Sequence, residues 1–168
     1  MIALYPGSFD PITRGHLHII RRALRFCPQL VIAVGSNVSK QNVFTVTERI
    51  AMITETLQEN LSTEEVARVK VTEFSGAVIN YAETIGASLI VKGIRWQQDY
   101  THEEKMAIVN RRLSDKIDTV FLMTDNDLRD VSSSAVREMA RISLAPEKFD
   151  HYLTANIRDK LLTRINSK

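Results

Sequence analysis

Four short segments of the chain carry the hydroxyl groups and cations that proteins use to bind phosphate. The first, YPGSFDPITRGH, runs from Tyr5 to His16 and contains Ser8 as well as His16. A helix beginning near Gly15 would add free backbone N–H groups and the positive end of its dipole. Gly7 and Gly15 allow close approach of a ligand or a positive φ. We interpret the segment as a phosphate-binding loop; the alternative is a structural loop in which His16 only caps the helix.

The other three segments also follow short apolar runs. The second contains Lys40, which taken alone is typical of an ordinary surface lysine. In the third, Lys92 and Arg95 flank Gly93, and two cations at the end of a buried strand favour an anion. The fourth opens a predicted helix with a serine run, although simple capping needs only one serine. That run is Ser132, Ser133 and Ser134. Neither GxxxxGK[ST] nor GxGxxG is present, so the common nucleotide-binding loops are excluded.

A further charged segment runs from Asp99 to Arg112. Its charges fit a solvated helix face. They equally fit a site in which Asp99 or Glu103 binds a ligand or positions metal-bound water. The residues alone leave both interpretations open.

Five apolar segments are predicted to be strands, and several are apolar at consecutive positions, as in strands buried on both faces. They are Ile2–Tyr5, Leu30–Gly35, Val69–Phe74, Ser88–Lys92 and Thr119–Met123. Helical periodicity separates them, for example at Met106, Val109 and Leu113. This alternation predicts an α/β fold, a Rossmann-like five-stranded parallel sheet with helices on both faces, in a single domain over residues 1–168. Ligands bind at the carboxyl ends of such strands, so the four segments should meet after strands one, two, four and five.

Helix ends are marked at three further places. Thr45 followed by Glu48 fits a capping box. Gly86 stands where a C-terminal glycine stop belongs. A last helix is predicted from about Thr154 to Ile165.

Composition limits the possible partners. The 168 residues carry a net charge of +2, too small to indicate a nucleic-acid partner or a membrane coat. Cys27 is the only cysteine, so no intrachain disulfide can form, which fits a reducing compartment. No apolar run approaches the ~18 residues that span a bilayer. These features predict a cytoplasmic protein that binds neither nucleic acid nor membrane.

Two motifs resemble the signatures of the nucleotidylyltransferase superfamily. Thr13-Arg14-Gly15-His16 resembles [HT]xGH, and VSSSAVR, residues 131–137, resembles ISSSxxR. More narrowly, YPGSFDPITRGH, SKQNVFTVTERI, KGIR, NRRL, TVFLM and VSSS, in this order, are similar to the bacterial phosphopantetheine adenylyltransferase family. The similarity extends from Ile2 to about Leu161. It implies that ATP and 4′-phosphopantetheine react to give dephospho-coenzyme A and pyrophosphate.

The resemblance also implies roles for individual residues. The acceptor's phosphate would attack the α-phosphorus of ATP in line, without an enzyme nucleophile. The matched catalytic positions are His16, Lys40, Arg95 and Ser8. The matched ATP-binding positions are Ser8, Phe9, His16, Gly93, Arg95, Glu103, Ser132, Ser133 and Ser134. The matched acceptor-binding positions are Ser8, Lys40, Ala77, Val78, Lys92, Met106 and Asn110. Mg²⁺ held mainly by phosphates and water, with no metal ligand from the chain, and a homohexamer are implied in the same way.

The chain departs from the family pattern at several positions. Lys92 replaces an arginine that grips the acceptor's phosphate, and lysine lacks the bidentate fork, which predicts a weaker grip. Gln41 and Asn42 replace a lysine and a proline, and Leu128 stands about where an aromatic side chain lies near the adenine. Asp99-Tyr100-Thr101-His102-Glu103 stands in place of a stretch close to DFEYE. Two other functions remain open: a nucleotidylyltransferase for another phosphorylated acceptor, such as nicotinamide mononucleotide or glycerol phosphate, and a non-catalytic nucleotide-binding module.

Overall fold

The computed structural model describes residues 1–36 and 42–167. Within them, five parallel strands form one sheet in the order β3-β2-β1-β4-β5, which confirms the predicted α/β class. The strands are β1 (Ile2–Gly7), β2 (Gln29–Gly35), β3 (Val69–Phe74), β4 (Leu89–Ile94) and β5 (Asp118–Met123). The helices are α1 (Arg14–Ala23), α2 (Val46–Asn60), α3 (Thr63–Ala67), α4 (Val78–Thr84), α5 (Gln97–Leu113), α6 (Ser133–Arg141) and α7 (Ala155–Asn166). No described helix is both long enough and apolar enough to span a membrane.

Two apolar clusters cover the two faces of the sheet. The larger one joins buried side chains of α1, α2, α6 and α7 to one face of the strands. The smaller one packs α4 against the other face, through Ile79 and Ala82 on Leu4 and Ile90. Because side chains alternate along a strand, neighbouring residues of β1 and β4 belong to different clusters. The two-sided burial explains why these strands are apolar at consecutive positions.

Strands β1 and β4 stay paired over only part of their length. β1 pairs with β2 from Ile2↔Gln29 as far as Gly7↔Val34. With β4 it pairs only at Ala3↔Leu89 and Leu4↔Ile90. These two strands are the point at which the strand order reverses, since β2 and β3 lie to one side and β5 to the other. The carboxyl halves of β1 and β4 therefore leave a crevice at the switch point, where α/β folds bind ligands.

Several predicted boundaries are wrong in detail. Strand β4 runs to Ile94, so Lys92 and Gly93 lie inside the strand rather than after it. The short helix α3 was not predicted; Ser62 caps it and Glu65 completes a capping box. Met106, Val109 and Leu113 do form a stripe on α5, but all three are exposed, and Leu113 is 65% exposed. Apolar periodicity identified that helix without showing whether the apolar face is covered.

The helix ends follow the expected chemistry. Thr45 accepts a hydrogen bond from the Glu48 backbone, and the Glu48 carboxylate accepts one from the Thr45 backbone at 2.8 Å. Gly86 has a φ of +67° and its N–H donates to the Glu83 carbonyl, while Ala87 N–H donates to Ala82. This is a Schellman ending, which requires the left-handed conformation that glycine adopts without strain. The last helix begins after Thr154, as predicted.

A buried arginine joins the loops at the carboxyl edge of the sheet. Arg49 of α2 is only 1% exposed. Its guanidinium donates to the carbonyl oxygens of Ser8 (2.6 Å), Gly35 (3.2 Å) and Phe44 (3.2 Å). The loop after β1, the end of β2 and the start of α2 are thereby tied to one side chain. Those carbonyls need a donor because unpaired polar groups in a protein interior are costly.

We predict that Arg49→Lys lowers the free energy of unfolding by about 2–4 kcal/mol. Lysine keeps the charge but cannot spread its donors over three carbonyls in the geometry of a planar guanidinium, so buried oxygens lose their partners. Urea unfolding followed by circular dichroism measures the loss. Arg25→Lys, on an exposed face of the chain, is the control and should change stability by less than about 0.5 kcal/mol. Equal effects of the two substitutions would contradict this assignment.

Candidate active site

A cavity of about 230 Å³ opens where β1 and β4 separate. It lies at the carboxyl edge of the sheet, between the first turns of α1 and α6. Its lining residues come from the segments after β1, β4 and β5 and from the two helix starts. They are Tyr5, Ser8, Thr13, Gly15, His16, Ile19, Gly93, Arg95, Thr124, Val131, Ser132, Ser133 and Ser134. Three of the four segments singled out in the sequence therefore meet as expected.

The loop after β1 is shaped by protein packing rather than by glycine conformations. Neither Gly7 nor Gly15 has a positive φ; the left-handed residue of this loop is Phe9, with a φ of 47°. A Cβ at Gly7 would lie 2.9 Å from the Phe9 ring, so glycine makes room for that ring. Phe9 is fully buried, with its ring centroid 5.4 Å from Tyr5 and 4.9 Å from His16. Its side chain supports the site from below and does not line the cavity.

His16 caps α1 and also reaches the cavity. Thr13 is the N-cap, and its backbone N–H donates to His16 Nδ1 at 3.1 Å. Since a backbone amide can only donate, Nδ1 is the acceptor nitrogen, and the neutral ring carries its proton on Nε2. Burial, reinforced by the nearby Arg95, lowers the pKa of His16 to about 4. The two interpretations of His16 are thus compatible, because one ring nitrogen caps the helix while Nε2–H is left for a ligand.

Arg95 is held in place by a carboxylate on α5. Asp99 accepts from the Arg95 backbone N–H at 3.1 Å, from Nε at 3.0 Å and from Nη2 at 3.2 Å. Burial raises the pKa of Asp99, but the hydrogen bonds from Arg95 outweigh it, and the net pKa is lowered. The pairing fixes one edge of the guanidinium, and Arg95 lines the cavity. Asp99 therefore orients a cation, a role that neither of the two interpretations from the sequence gave it.

The three serines at the start of α6 differ in their hydrogen bonds. Ser132 is the N-cap of α6, and its hydroxyl accepts from Ala135 N–H at 3.1 Å. Ser133 donates to the Pro11 carbonyl at 2.8 Å, which ties α6 to the loop after β1. Ser134 is exposed and makes no side-chain hydrogen bond within the described chain. The run thus supplies a cap, a tether and one hydroxyl for a ligand.

Backbone donors add to the positive character of the cavity. Helix starts leave their first N–H groups without intrahelical acceptors. At α1, Gly15 N–H has no acceptor among the described residues, and at α6 the same holds for Ser133 and Ser134. Both helix dipoles point their positive ends at the same space. With Arg95 and His16, the cavity presents donors from every side, which suits an anion with several oxygens.

A second group of predicted residues does not line this cavity. Lys92 lies on the same side of β4 as Ile90, facing the α4 cluster rather than α1. Its ammonium pairs with the Glu103 carboxylate at 3.0 Å. Asn110 is the buried residue of α5, whereas Met106 is exposed. The remaining members are Ala77, the N-cap of α4, and Val78, its first helical residue. Lys92 thus lies on the face of the sheet that α4 covers, and an acceptor site formed by these residues stays a prediction.

Lys40 lies outside the described residues, together with the rest of residues 37–41. Its place relative to the cavity therefore stays a prediction. The described residues that follow are fixed firmly: Asp10 accepts from the backbone N–H groups of Val43 and Phe44, each at 2.9 Å.

Sequence reasoning gave no site role to three residues of the cavity: Tyr5, Ile19 and Thr124. Tyr5 and Thr124 each reach it although each is only 6% exposed. Tyr5 was assigned to the end of the first predicted strand, and Thr124 follows the fifth predicted strand, Thr119–Met123. The register would have found Tyr5, because it shares a face of β1 with Ala3 and therefore points towards α1. Leu128, by contrast, does not line the cavity. The exposed Trp96 ring lies under Arg129, whose Cζ is 5.3 Å from the ring centroid.

Chemically, the cavity is built to bind oxyanions. Hydroxyl groups, an imidazole, a guanidinium and helix N-termini line it, and its neighbouring carboxylate Asp99 is already paired. Among the described residues no group of three or more His, Cys, Asp or Glu side chains could hold a metal ion. Hydrogen-bond donors grouped around one cavity favour transfer of a phosphoryl-type group between bound substrates by positioning and charge stabilisation.

Comparison with known proteins agrees with this chemistry. Residues 4–139 match the cytidylyltransferase-like family. The phosphopantetheine adenylyltransferase of Alkaliphilus metalliredigens is 41% identical over 140 residues, which cover 83% of this chain and 85% of that protein. That of Nostoc punctiforme is 41% identical over 157 residues, covering 94% of this chain and 81% of that protein.

A solved structure supports the fold independently. The Plasmodium falciparum nicotinic acid mononucleotide adenylyltransferase, complexed with NaAD, superposes with a TM-score of 0.69 over 99% of this chain and 94% of that chain. At 15% identity this likeness concerns the fold alone. The sequence relatives make the narrower assignment: the chain belongs to the phosphopantetheine adenylyltransferase family.

Proposed function

We propose that the chain transfers the adenylyl group of ATP to 4′-phosphopantetheine, giving dephospho-coenzyme A and pyrophosphate, a step of coenzyme A biosynthesis. The observation that carries the proposal is the convergence of His16, Arg95 and two helix N-termini on one cavity at the switch point. These donors suit a triphosphate, and Lys92 on the other face suits the phosphate of the acceptor.

The chain's part in the reaction is positioning and charge stabilisation. The acceptor phosphate attacks the α-phosphorus, and pyrophosphate leaves on the opposite side. His16 donates its Nε2 proton as a hydrogen bond to the reacting phosphate, Arg95 neutralises charge on the leaving pyrophosphate, and Ser134 with the α6 amides binds its oxygens. Ser8 lines the cavity; Lys40, which lies outside the described residues, is assigned to the space between the two substrates by family resemblance alone. Because these donors are held before the substrates bind, little reorganisation is needed in the transition state.

Mg²⁺ is proposed to enter with the nucleotide as MgATP. The donors of the cavity are hydroxyls and cations, which suit phosphate and not a metal ion, and both nearby carboxylates are paired with cations. Phosphate oxygens and water therefore supply its ligands, as is usual for Mg²⁺ bound with a nucleotide. The ion would neutralise negative charge on the phosphates.

The proposed oligomer finds support on α5. This helix lies on β4 and β5 but buries only Asn110. Five apolar side chains of α5 are exposed, and three of them, Met106, Val109 and Leu113, share one face of the helix; the other two are Tyr100 and Ile108. An apolar patch of this kind marks an interaction surface. We propose that further copies of the chain cover it in a homohexamer, and we keep the cytoplasm as the expected location.

Pyrophosphate release tests the proposed reaction. The purified chain is incubated with MgATP and, in parallel, with 4′-phosphopantetheine, nicotinamide mononucleotide or glycerol 3-phosphate. Release with phosphopantetheine alone is expected. Release with another acceptor would assign a different transferase activity, and ATP binding without release would favour a non-catalytic nucleotide-binding module.

We predict that His16→Gln lowers turnover about 100-fold while leaving the fold intact. Glutamine at the third helical position can accept the Thr13 N–H as histidine does, so the capping box survives. Its amide N–H₂ can still donate, but it lies on a flexible side chain instead of a rigid ring, so the donor is no longer held where His16 Nε2–H stands, and loss of one such positioned donor costs about 100-fold in rate. Steady-state kinetics and thermal unfolding are measured on the same preparation.

The matched comparison is His16→Ala, which removes the donor and the cap together. It should show the same loss of turnover and, in addition, a loss of stability of about 1 kcal/mol. If His16→Ala kept full turnover and lost only stability, the helix cap would be the whole role of His16.

We predict that Glu103→Gln lowers the Michaelis constant for phosphopantetheine roughly three- to tenfold. Glu103 pairs with Lys92, so it competes with the acceptor's phosphate for the ammonium group. The Michaelis constant for ATP should not change. Glu104→Gln, one position along α5, is the control, because Glu104 accepts from Tyr100 instead. An unchanged constant for the acceptor with a raised constant for ATP would assign Glu103 to the nucleotide, as the family resemblance implies.

A further inference from the structure

Tyr5 carries a hydroxyl group that the protein itself does not use. Its side chain is 6% exposed and its ring packs edge-on against Phe9, at a centroid distance of 5.4 Å. Its oxygen is the end of the side chain that approaches β4, 3.7 Å from where a Cβ on Gly93 would stand. Both residues line the cavity of about 230 Å³, so the hydroxyl lies at the floor of the crevice between β1 and β4.

No hydrogen-bond partner for this hydroxyl occurs among residues 1–36 and 42–167. The hydroxyl is not one of the buried, unpartnered polar atoms of the described chain, so it faces the space of the cavity, whereas the ring packs as a phenylalanine ring would. The ring alone therefore does not account for tyrosine at this position. A partner that arrives with a ligand accounts for it.

The surroundings specify the chemistry of that partner. Burial, opposed by Arg95 and aided by Glu103, raises the pKa of Tyr5 well above its ordinary value, so the hydroxyl keeps its proton and donates. His16 lies beside it, with ring centroids 6.5 Å apart. A donor between a guanidinium and an imidazole, deep in a cavity, faces an anionic oxygen.

We propose that Tyr5 is a further substrate-binding residue, whose O–H donates to a phosphate oxygen of the bound nucleotide. This inference rests on the proposed function. Tyr5 is the first residue of β1 beyond its pairing with β4, so the separation of the two strands is what lets a phosphate reach it. Because Gly93 has no side chain, β4 leaves room for a phosphate beside the Tyr5 hydroxyl.

Tyr5→Phe tests the proposal by calorimetric titration with two probes, MgATP and adenosine, in the absence of an acceptor. The variant should bind MgATP about tenfold more weakly, because one hydrogen bond to a charged oxygen is lost. Adenosine carries no phosphate, so its affinity should not change. The free energy of unfolding should stay the same or rise.

Tyr81→Phe is the matched control. Its ring packs on Phe74 at 5.5 Å, and its side chain lines a different cavity at the amino end of the sheet. It should bind both probes like the wild type. Unchanged MgATP affinity in Tyr5→Phe, or an equal loss for MgATP and adenosine, would overturn the proposal. Wild-type protein that binds no MgATP would instead overturn the proposed function.

Discussion

The early separation of β1 from β4 is the constraint on which the site depends. Six residue pairs join β1 to β2, but the pairing with β4 ends after Leu4↔Ile90. Beyond that point the backbone of each strand faces open space, and the helices that follow β1 and β5 point their amino ends into it. A parallel sheet whose strand order reverses has only one such place. The position of the cavity is thus a consequence of topology, and side chains decide only what it binds.

Structural and functional roles coincide in the residues around this opening. Thr13 and His16 close the first turn of α1 through a capping box, and that bond also sets the tautomer of the ring. Arg49 satisfies buried carbonyls and thereby fixes the loop that carries Ser8. The Ser133 hydroxyl donates a hydrogen bond to the Pro11 carbonyl and so ties α6 to the same loop. Each contact stabilises the fold, and each also sets a donor in place before a substrate arrives, which is what electrostatic catalysis requires.

The sequence allowed the layout to be predicted better than the contacts. Consecutive apolar positions indicated buried parallel strands, and phosphate-binding residue types at strand ends indicated their common edge. Periodicity could not show that the apolar stripe ending at Leu113 is exposed, because a buried and an exposed apolar helix face have the same spacing of apolar residues in the sequence. Nor could spacing reveal that Arg49 is buried, since its partners Ser8, on a loop, and Gly35, at the end of β2, lie 41 and 14 residues away. Tyr5 was passed over because a strand residue next to apolar neighbours normally packs in a core.

One face of α5 orients two cations of the proposed site. Asp99 and Glu103 stand four residues apart on α5 and therefore on one face of that helix. Asp99 holds Arg95 and Glu103 holds Lys92, at 3.0 Å in each case. Neither pair is fully buried, so neither contributes much to stability. Their effect is geometric: a single helix face orients the cation beside the nucleotide cavity and the cation on the opposite side of β4. A shift of α5 would therefore move both cations together, so this helix couples the two halves of the proposed site.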